Sequence, residues 1–383
     1  MENIKTDSQV NSVSQKKFEW KDLKVNIVDR YIIKKFLGTF FFALLLIIVI
    51  AVVFDFSEKI DDFLEKNAPV KAIIFDYYLN FIPNFAVLFS SLFTFIAVIF
   101  FTSKMAYNTE IIAILASGRS FMRMIYPYLI SAAIISLFSF MLSNFVIPDA
   151  NKKRLEFEEL YVRNHPYNYD KRNVHKQISP GVYIFMESYS NSSDMGYKFS
   201  LEKFENGKMT SKLMADYIRW DTTKMKWNLQ NYYIRDLKGL DEVIKKGEAI
   251  DTTINLDPEE FNRRDEFVET MSLGDLNSFI RTLRTQGSDN INMFIIEKQK
   301  RMAYPISTFI LTMIGVTLSS RKIRGGIGMQ LGTGLGLSFT YILFMQFSAQ
   351  FAISGALSPF LAAWVPNFIF IIISVVLYRF APK

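Results

Sequence analysis

Five stretches of this 383-residue chain contain no Asp, Glu, Lys or Arg: Phe36–Phe54 (19 residues), Tyr77–Ser103 (27), Met124–Pro148 (25), Met302–Ser320 (19) and Gly325–Tyr378 (54). A helix rises ~1.5 Å per residue and the hydrocarbon layer of a bilayer is ~30 Å thick, so ~20 apolar residues cross it once. The first four runs are one span each. The fifth would be ~80 Å long as a single helix, too long for one crossing. The turn-rich Ser354-Gly-Ala-Leu-Ser-Pro359 near its middle divides it into spans at about 327–350 and 359–379. The chain is therefore expected to be an α-helical integral membrane protein with six transmembrane helices. Core helices of a soluble protein would keep a polar face, which these runs lack.

Lys and Arg in the short flanks set the orientation. Residues 1–35 carry eight of them, and the segments after spans 2, 4 and 6 add Lys104, Arg119, Arg123, Arg321, Lys322, Arg324, Arg379 and Lys383. The loop after span 1 has only Lys59, Lys66 and Lys71 against five acids from Glu58 to Asp76, and the loop after span 5 has none. Both termini are thus expected in the cytoplasm and residues 149–301 outside. The net charge of +7 is then a topology signal and requires no nucleic acid. Residues 1–25 read as a flexible cytoplasmic tail, without a cleavable leader, so that span 1 is a signal anchor. Residues 26–148 hold spans 1–3 and residues 302–383 hold spans 4–6.

Residues 149–301 hold 25 basic and 25 acidic side chains, the balance of a water-exposed domain. Lys152–Val162 continues span 3 as a helix. Strand-like segments follow at Gly181–Tyr189, Tyr197–Phe204, Met209–Trp220, Met225–Leu237 and Glu248–Leu256. Turn signals separate them, of which Asn206-Gly207 is the strongest hairpin signal. A sandwich, jelly roll or open barrel follows. Ser272 is placed to cap a short helix through Arg284.

The chemistry available is narrow. There is no Cys, and His165 and His175 are the only histidines, so no thiolate or histidine-cluster metal site is expected. No phosphate-binding loop, H-E-x-x-H or G-x-S-x-G motif occurs. Glu259-Glu260 reads as part of a solvated face. No charge lies deep in a span, which argues against ion coupling. The spans carry instead the amides Asn80, Asn84, Asn144, Gln346, Gln350 and Asn367, expected to bond between helices. Gly328, Gly332 and Gly336 recur every four residues at the start of span 5, a face suited to close helix packing or to a sliding helix pair.

The cytoplasmic loop between spans 2 and 3 contains Asn108-Thr-Glu-Ile-Ile-Ala-Ile-Leu-Ala-Ser-Gly118. It reads as a short helix at about 108–118, with Thr109 as cap, Glu110 near the positive end and Gly118 as terminator. Ile111, Ile112, Ile114 and Leu115 are apolar in a segment that should face water. They suit either the headgroup region or a groove on a cytoplasmic partner, with Glu110 pairing a base there.

In this order and on this topology, the chain resembles the LptF/LptG (YjgP/YjgQ) permeases of the lipopolysaccharide exporter. The resemblance rests on Val28-Asp-Arg-Tyr-Ile32, the 109–118 helix, Val146-Ile-Pro148, Arg324-Gly-Gly-Ile-Gly328, Gly355-Ala-Leu-Ser-Pro359 and Trp364-Val-Pro-Asn367. It implies a periplasmic β jelly roll inserted between spans 3 and 4, and a bacterial inner-membrane location. It also implies a second LptF/LptG-type permease, a cytoplasmic LptB-like ABC ATPase dimer and a bridge of LptC/LptA-like jelly rolls as partners. Glu110 matches the coupling-helix glutamate, with Ile111, Ile114, Leu115 and Gly118 around it. Spans 1 and 5 would gate a cavity for lipopolysaccharide taken from the outer leaflet, with Phe54, Asp55 and Lys59 on its path and Gly328, Gly332 and Gly336 at the gate. One departure stands out: where relatives often carry lysines at the outer end of span 1, Val53-Phe-Asp-Phe-Ser-Glu-Lys-Ile-Asp-Asp62 is acidic. A divalent cation, a less phosphorylated lipid or a basic companion chain are the compensations open.

Extracting a lipid with several acyl chains costs roughly 0.8 kcal/mol per CH2 exposed to water. A chain with no nucleotide site, no ion site and no cofactor of its own must receive that energy mechanically, here through the 109–117 helix, with ATP used by the partner. The contrasting class is a membrane-anchored periplasmic binding or assembly protein without transport, which has no need of an apolar docking helix. A lipid-modifying enzyme would have only Asp55, Glu58, Asp61 and Asp62 to work with, and no base or metal-ligand spacing accompanies them.

Overall fold

The computed structural model describes residues 25–163, 171–190, 192–239, 241–256, 258, 265–287, 291–321 and 326–381. The tail through residue 24, His165, Glu259-Glu260, Lys322, Arg324, Gly325 and Lys383 lie outside the described residues. Six helices have the length and apolarity to cross a membrane. They are α1 (Ile27–Glu65), α2 (Val70–Tyr107), α4 (Phe121–Tyr161), α6 (Ile291–Ser319), α7 (Gly326–Ile353) and α8 (Pro359–Arg379). The short α3 (Glu110–Ala116) lies between α2 and α4. Six strands, a 3-10 turn (Asp265–Thr270) and α5 (Leu273–Thr285) separate α4 from α6. Three helices, a β domain and three helices is the order the charge-free runs predict.

Helices α1, α2 and α4, of 39, 38 and 41 residues, outrun a ~30 Å layer and project from it. Two π-helical stretches interrupt them, Ile73–Tyr78 in α2 and Leu142–Val146 in α4. The second immediately precedes Pro148, which has no N–H and whose ring crowds the carbonyl a turn earlier; Asn144 there donates to Phe140 O at 2.8 Å. Helices α2 and α6 form the centre. Phe95, Val98 and Ile99 of α2 and Leu311, Ile314 and Val316 of α6 are fully or almost fully buried. Gly315 makes this approach possible, since a Cβ there would stand 2.7 Å from Val98 Cγ1 and 3.2 Å from the Phe95 ring. Hydroxyls join the pair, with Ser91 Oγ 3.0 Å from Ser307 Oγ.

Two of the six amides bridge separate elements. Asn367 of α8 donates to Ala303 O at 3.2 Å and accepts from Tyr341 OH at 2.9 Å. Asn84 of α2 donates to Asn151 Oδ1 of α4 at 3.3 Å and to Glu269 at 3.4 Å, while Asn151 donates to Glu269 at 3.2 Å. Asn80 and Asn144 bond within their own helices instead, and Gln346 and Gln350 lie on the exposed face of α7.

The strands are β1 (Lys171–Ser179), β2 (Val182–Ser190), β3 (Met195–Glu205), β4 (Lys208–Asp221), β5 (Lys226–Lys238) and β6 (Asp241–Thr252), antiparallel in consecutive order. Asn206 and Gly207 take φ of 50° and 76°, the left-handed pair that a two-residue hairpin turn demands. Strand β1 and the first half of β6 are absent from the sequence expectation. Charged residues mask the alternation in both, and β6 is an almost wholly exposed edge.

The ladder breaks in every strand along one line: Asn173, Glu187, Lys198, Asp216, Asn231 and Glu248. Asn173, Lys198 and Asn231 have φ of 50–52°. Across this line the inward parity switches. Met186 and Tyr189 of β2, Ala215 and Ile218 of β4, and Leu229 and Tyr232 of β5 all belong to one apolar interior. Each strand therefore breaks its alternation at one residue while the pairing register is kept across the line; this creases the sheet, and both halves turn their apolar faces toward each other. This is the jelly-roll-like domain. Ile254 and Leu256, beyond β6, fill its end, where Trp227 Nε1 donates to Leu256 O at 2.9 Å.

The way back to the membrane is fastened by Arg301 of α6. Its guanidinium, buried, donates to Met271 O at 2.7 Å and Val268 O at 3.2 Å, and its Nε to Glu297 at 3.1 Å. Ser272 caps α5 as expected, accepting from Asp275 N at 3.2 Å.

Candidate functional site

The short helix α3 begins and ends as its residues dictate, with one difference. Thr109 sits at the N-cap position but in a left-handed conformation (φ 63°), and its hydroxyl donates back to Asn108 O at 2.6 Å instead of capping the helix. Gly118, at φ 81°, terminates the helix, its N–H donating to Leu115 O at 3.0 Å. Glu110 lies in the first turn and accepts from Tyr31 OH of α1 at 3.3 Å and from Asn108 Nδ2 at 3.4 Å.

The isoleucines divide between two faces. Ile111 is buried in a bundle cluster with Ile32, Phe36 and Tyr128, and Ile114 and Leu115 pack against the same cluster. Ile112, 59% exposed, points away from the bundle. Ala113 and Ala116 are also exposed. The outward face thus consists of Ile112, Ala113 and Ala116, small and apolar, beside the half-buried Glu110. Of the residues singled out from sequence, Glu110 borders this face, while Ile111, Ile114 and Leu115 anchor it.

A second feature is the uncovered flank formed by α1 and α7, both of which pack on α2. Phe42, Leu45, Val53 and Phe54 of α1, and Met329, Phe339, Phe347 and Phe351 of α7, are all more than half exposed. Gly328, Gly332 and Gly336 lie on this side of α7, and a Cβ at any of the three would meet nothing within 4 Å. Gly334 points the other way, against Ile99 and Phe95 of α2. Among the described residues, no helix lies upon the stripe.

Toward the C-terminal end of α1, Phe54 is exposed but Asp55 and Lys59 turn toward the bundle. Lys59 Nζ bonds Asp55 Oδ1 at 2.7 Å, contacts Tyr77 OH, and lies 4.7 Å from the Tyr77 ring centre. Tyr77 OH donates to Asp55 Oδ1 at 3.1 Å and Tyr78 OH to Oδ2 at 3.2 Å. Both tyrosines belong to the π-helical stretch of α2. Phe63 and Phe157 pack around them. Lys59 is therefore committed to a latch between α1 and α2.

Sequence reasoning missed the pair Asp29–Arg123, 2.6 Å apart in the first turns of α1 and α4 and almost wholly buried. Arg123 counted there only as a loop cation, and Asp29 stood only as a letter in Val28–Ile32. An acid opening an apolar run was the one available signal. Arg301, Asn151 and Glu269 were missed likewise.

The chain is thus a six-helix membrane protein with a creased β domain inserted between its third and fourth spans, two sparsely covered helices and a short helix between its second and third spans. The sequence matches the family described as "Lipopolysaccharide export system permease LptF/LptG" over residues 30–379, and the chain belongs to that family. No curated protein matches it. The protein is thus a multi-pass inner-membrane subunit of a lipopolysaccharide transport complex, a transport subunit and not itself a catalyst.

Proposed function

We propose that this chain works as one half of an ATP-driven extractor, taking lipopolysaccharide from the outer leaflet of the inner membrane and passing it through its periplasmic jelly roll to a bridge of similar domains. Both termini lie in the cytoplasm and residues 149–301 in the periplasm. The observation that carries this reading is the face of α7. Its most apolar stretch has a mean hydropathy of 1.3, the lowest of the six spans, yet only 22% of it is buried in the chain. A face bearing Gly328, Gly332, Thr333, Gly336, Thr340, Gln346 and Gln350 is poorly matched to lipid tails. It suits a second permease whose gate helix packs there, with a cavity between the two chains. The energy enters at α3, where an ABC ATPase dimer receives Ile112 and the alanines beside Glu110. The creased β domain offers the acyl chains an apolar interior, and its exposed edge β6 offers pairing to the next domain.

The test is reconstitution of this chain with its second permease and ATPase in proteoliposomes carrying lipopolysaccharide. ATP-dependent release to a purified jelly-roll acceptor is expected, and Glu110→Arg should reduce ATPase co-purification and release while leaving membrane insertion intact. Wild-type co-purification and release in that variant would overturn the coupling role. Purification of the wild-type chain with no ATPase would favour a passive periplasmic anchor.

A further inference from the structure

The ion pair at the base of α1 has features that packing alone does not require. Asp29 accepts from Arg123 through both oxygens, Nη1 to Oδ1 at 2.9 Å and Nη2 to Oδ2 at 2.6 Å. The two side chains are 2% and 9% exposed. The same carboxylate accepts from Asn26 N–H at 2.8 Å, so it also fixes the first turn of α1. Arg123 stands in the first turn of α4, its N–H held by Ser120 Oγ at 3.3 Å and its guanidinium 5.2 Å from the Tyr126 ring. Only residues 117–120 separate that turn from the coupling helix. Two residues beyond Asp29, Tyr31 donates to Glu110 of the coupling helix. The base of α1 is thus tied to the coupling helix directly and to the helix that follows it.

Burying two charges gives little net stability, because desolvation cancels most of the attraction and an apolar pair of similar size holds a fold as well. What a bidentate pair adds is direction: the fork fixes distance and orientation together. Above it, α1 is seated by Ile32, Phe36, Phe40 and Leu44, spaced four apart on one face. Beyond Leu44 its outward face is bare as far as the Asp55 latch, with Leu45, Val49 and Val53 exposed. Ile47, Ile48 and Val52 still pack on the bundle from its inner face, so a stiff helix whose base is fixed in orientation carries a change at that base along its length.

We infer that Asp29 and Arg123 are positioning residues through which displacement of the coupling helix reaches α1, an inference that rests on the ATP-driven reading above. The test uses the complete complex in proteoliposomes. The chain has no Cys, so spin labels at Leu64→Cys on α1 and Ile372→Cys on α8, both well exposed, report one distance. In the wild type that distance is expected to change on trapping the ATPase with vanadate. In Asp29→Leu/Arg123→Met, which replaces the charges by an apolar pair, the change should vanish. ATP hydrolysis should stay within about twofold and lipid released per ATP should fall about tenfold. An unaltered distance change with unaltered release per ATP overturns the inference. Should the double variant fail to assemble, Arg123→Lys, which keeps the charge and loses the fork, is read by the same two measurements, and wild-type values there overturn it equally. If the wild-type complex releases no lipid with ATP, the ATP-driven reading falls instead.

Discussion

The central helices α2 and α6 and the flanking helices α1 and α7 differ in a direction opposite to that of a soluble protein. In the most apolar stretch of each, 56% of α2 and 61% of α6 is buried, against 17% of α1 and 22% of α7. Yet α1 has the highest mean hydropathy, 3.1, and α6 only 1.5. Lipid tails are as apolar as leucine, so apolar surface has no reason to hide from them; small residues and hydroxyls gather between helices because they allow close approach and find partners there. Gly315, Ser91 and Ser307 are such residues. By that rule α1 is at home against lipid. Helix α7, bare and yet of low hydropathy, is the exception, and the proposed second permease would cover it.

The comparison breaks most sharply at two glycines. Gly315→Leu would drive a side chain into Val98 and Phe95 and should cost roughly 3 kcal/mol, visible as a large drop in melting temperature and in folded yield in detergent. Gly332→Leu projects into open space. It should leave the melting of the isolated chain unchanged and abolish crosslinking to the second permease. Equal destabilisation by both would erase the distinction between core and flank. Next in size, Arg301→Met removes the guanidinium donor from Met271 O and from Val268 O, which keeps only the long bond from Met271 N–H, and should cost about 2–3 kcal/mol. Protease nicking near residues 265–272 would report the loosened return from the β domain.

Hydropathy makes the six spans legible because a bilayer demands uninterrupted apolar length, and charge asymmetry suggests their orientation. Which helix is central is not written in hydropathy at all; it rests on Gly315 meeting Val98, a contact between residues far apart in sequence. Asn206-Gly207 announces its hairpin through local backbone preference. The crease does not announce itself, because Glu187 and Asp216 become neighbours of Lys198 only once the register is set. At the docking helix, sequence locates the segment and its terminator. It does not reveal that Ile111 faces in and Ile112 out, since the six consecutive apolar residues from Ile111 to Ala116 carry no period. Asp29 and Arg123 lie 94 positions apart, and only the packing of α1 on α4 unites them.

A smaller effect within the central group tests whether polar contacts among packed helices matter individually. Tyr341→Phe removes the donor to Asn367 Oδ1 and should lower stability by about 1 kcal/mol; Asn367→Leu, which also loses the bond to Ala303 O, should cost more alone than it does in the Tyr341→Phe background. Full additivity of the two substitutions in detergent unfolding would show that the bond contributes nothing.

The smallest effect expected lies outside the membrane and serves as the aqueous reference for these buried pairs. Lys224 and Asp251 join β5's leading turn to β6 at 2.8 Å. Hydrogen bonds from Lys224 and Asn228 hold the Asp251 carboxyl below its ordinary value, and the bond to Asp251 raises Lys224. A depressed carboxyl contributes stability that is present above its unfolded value, near 3.9, and is lost as pH falls through the folded value. The raised lysine contributes stability that is lost only as pH rises through its folded value in the alkaline range. Lys224→Met should therefore lower the melting temperature slightly at neutral pH, and the difference from wild type should close as pH falls below about 4. Because the pair is open to water, added salt should shrink the same difference at neutral pH. Asp29–Arg123, sealed from solvent, should show no such salt dependence; a salt-sensitive Asp29→Asn effect would mean that water reaches the base of α1.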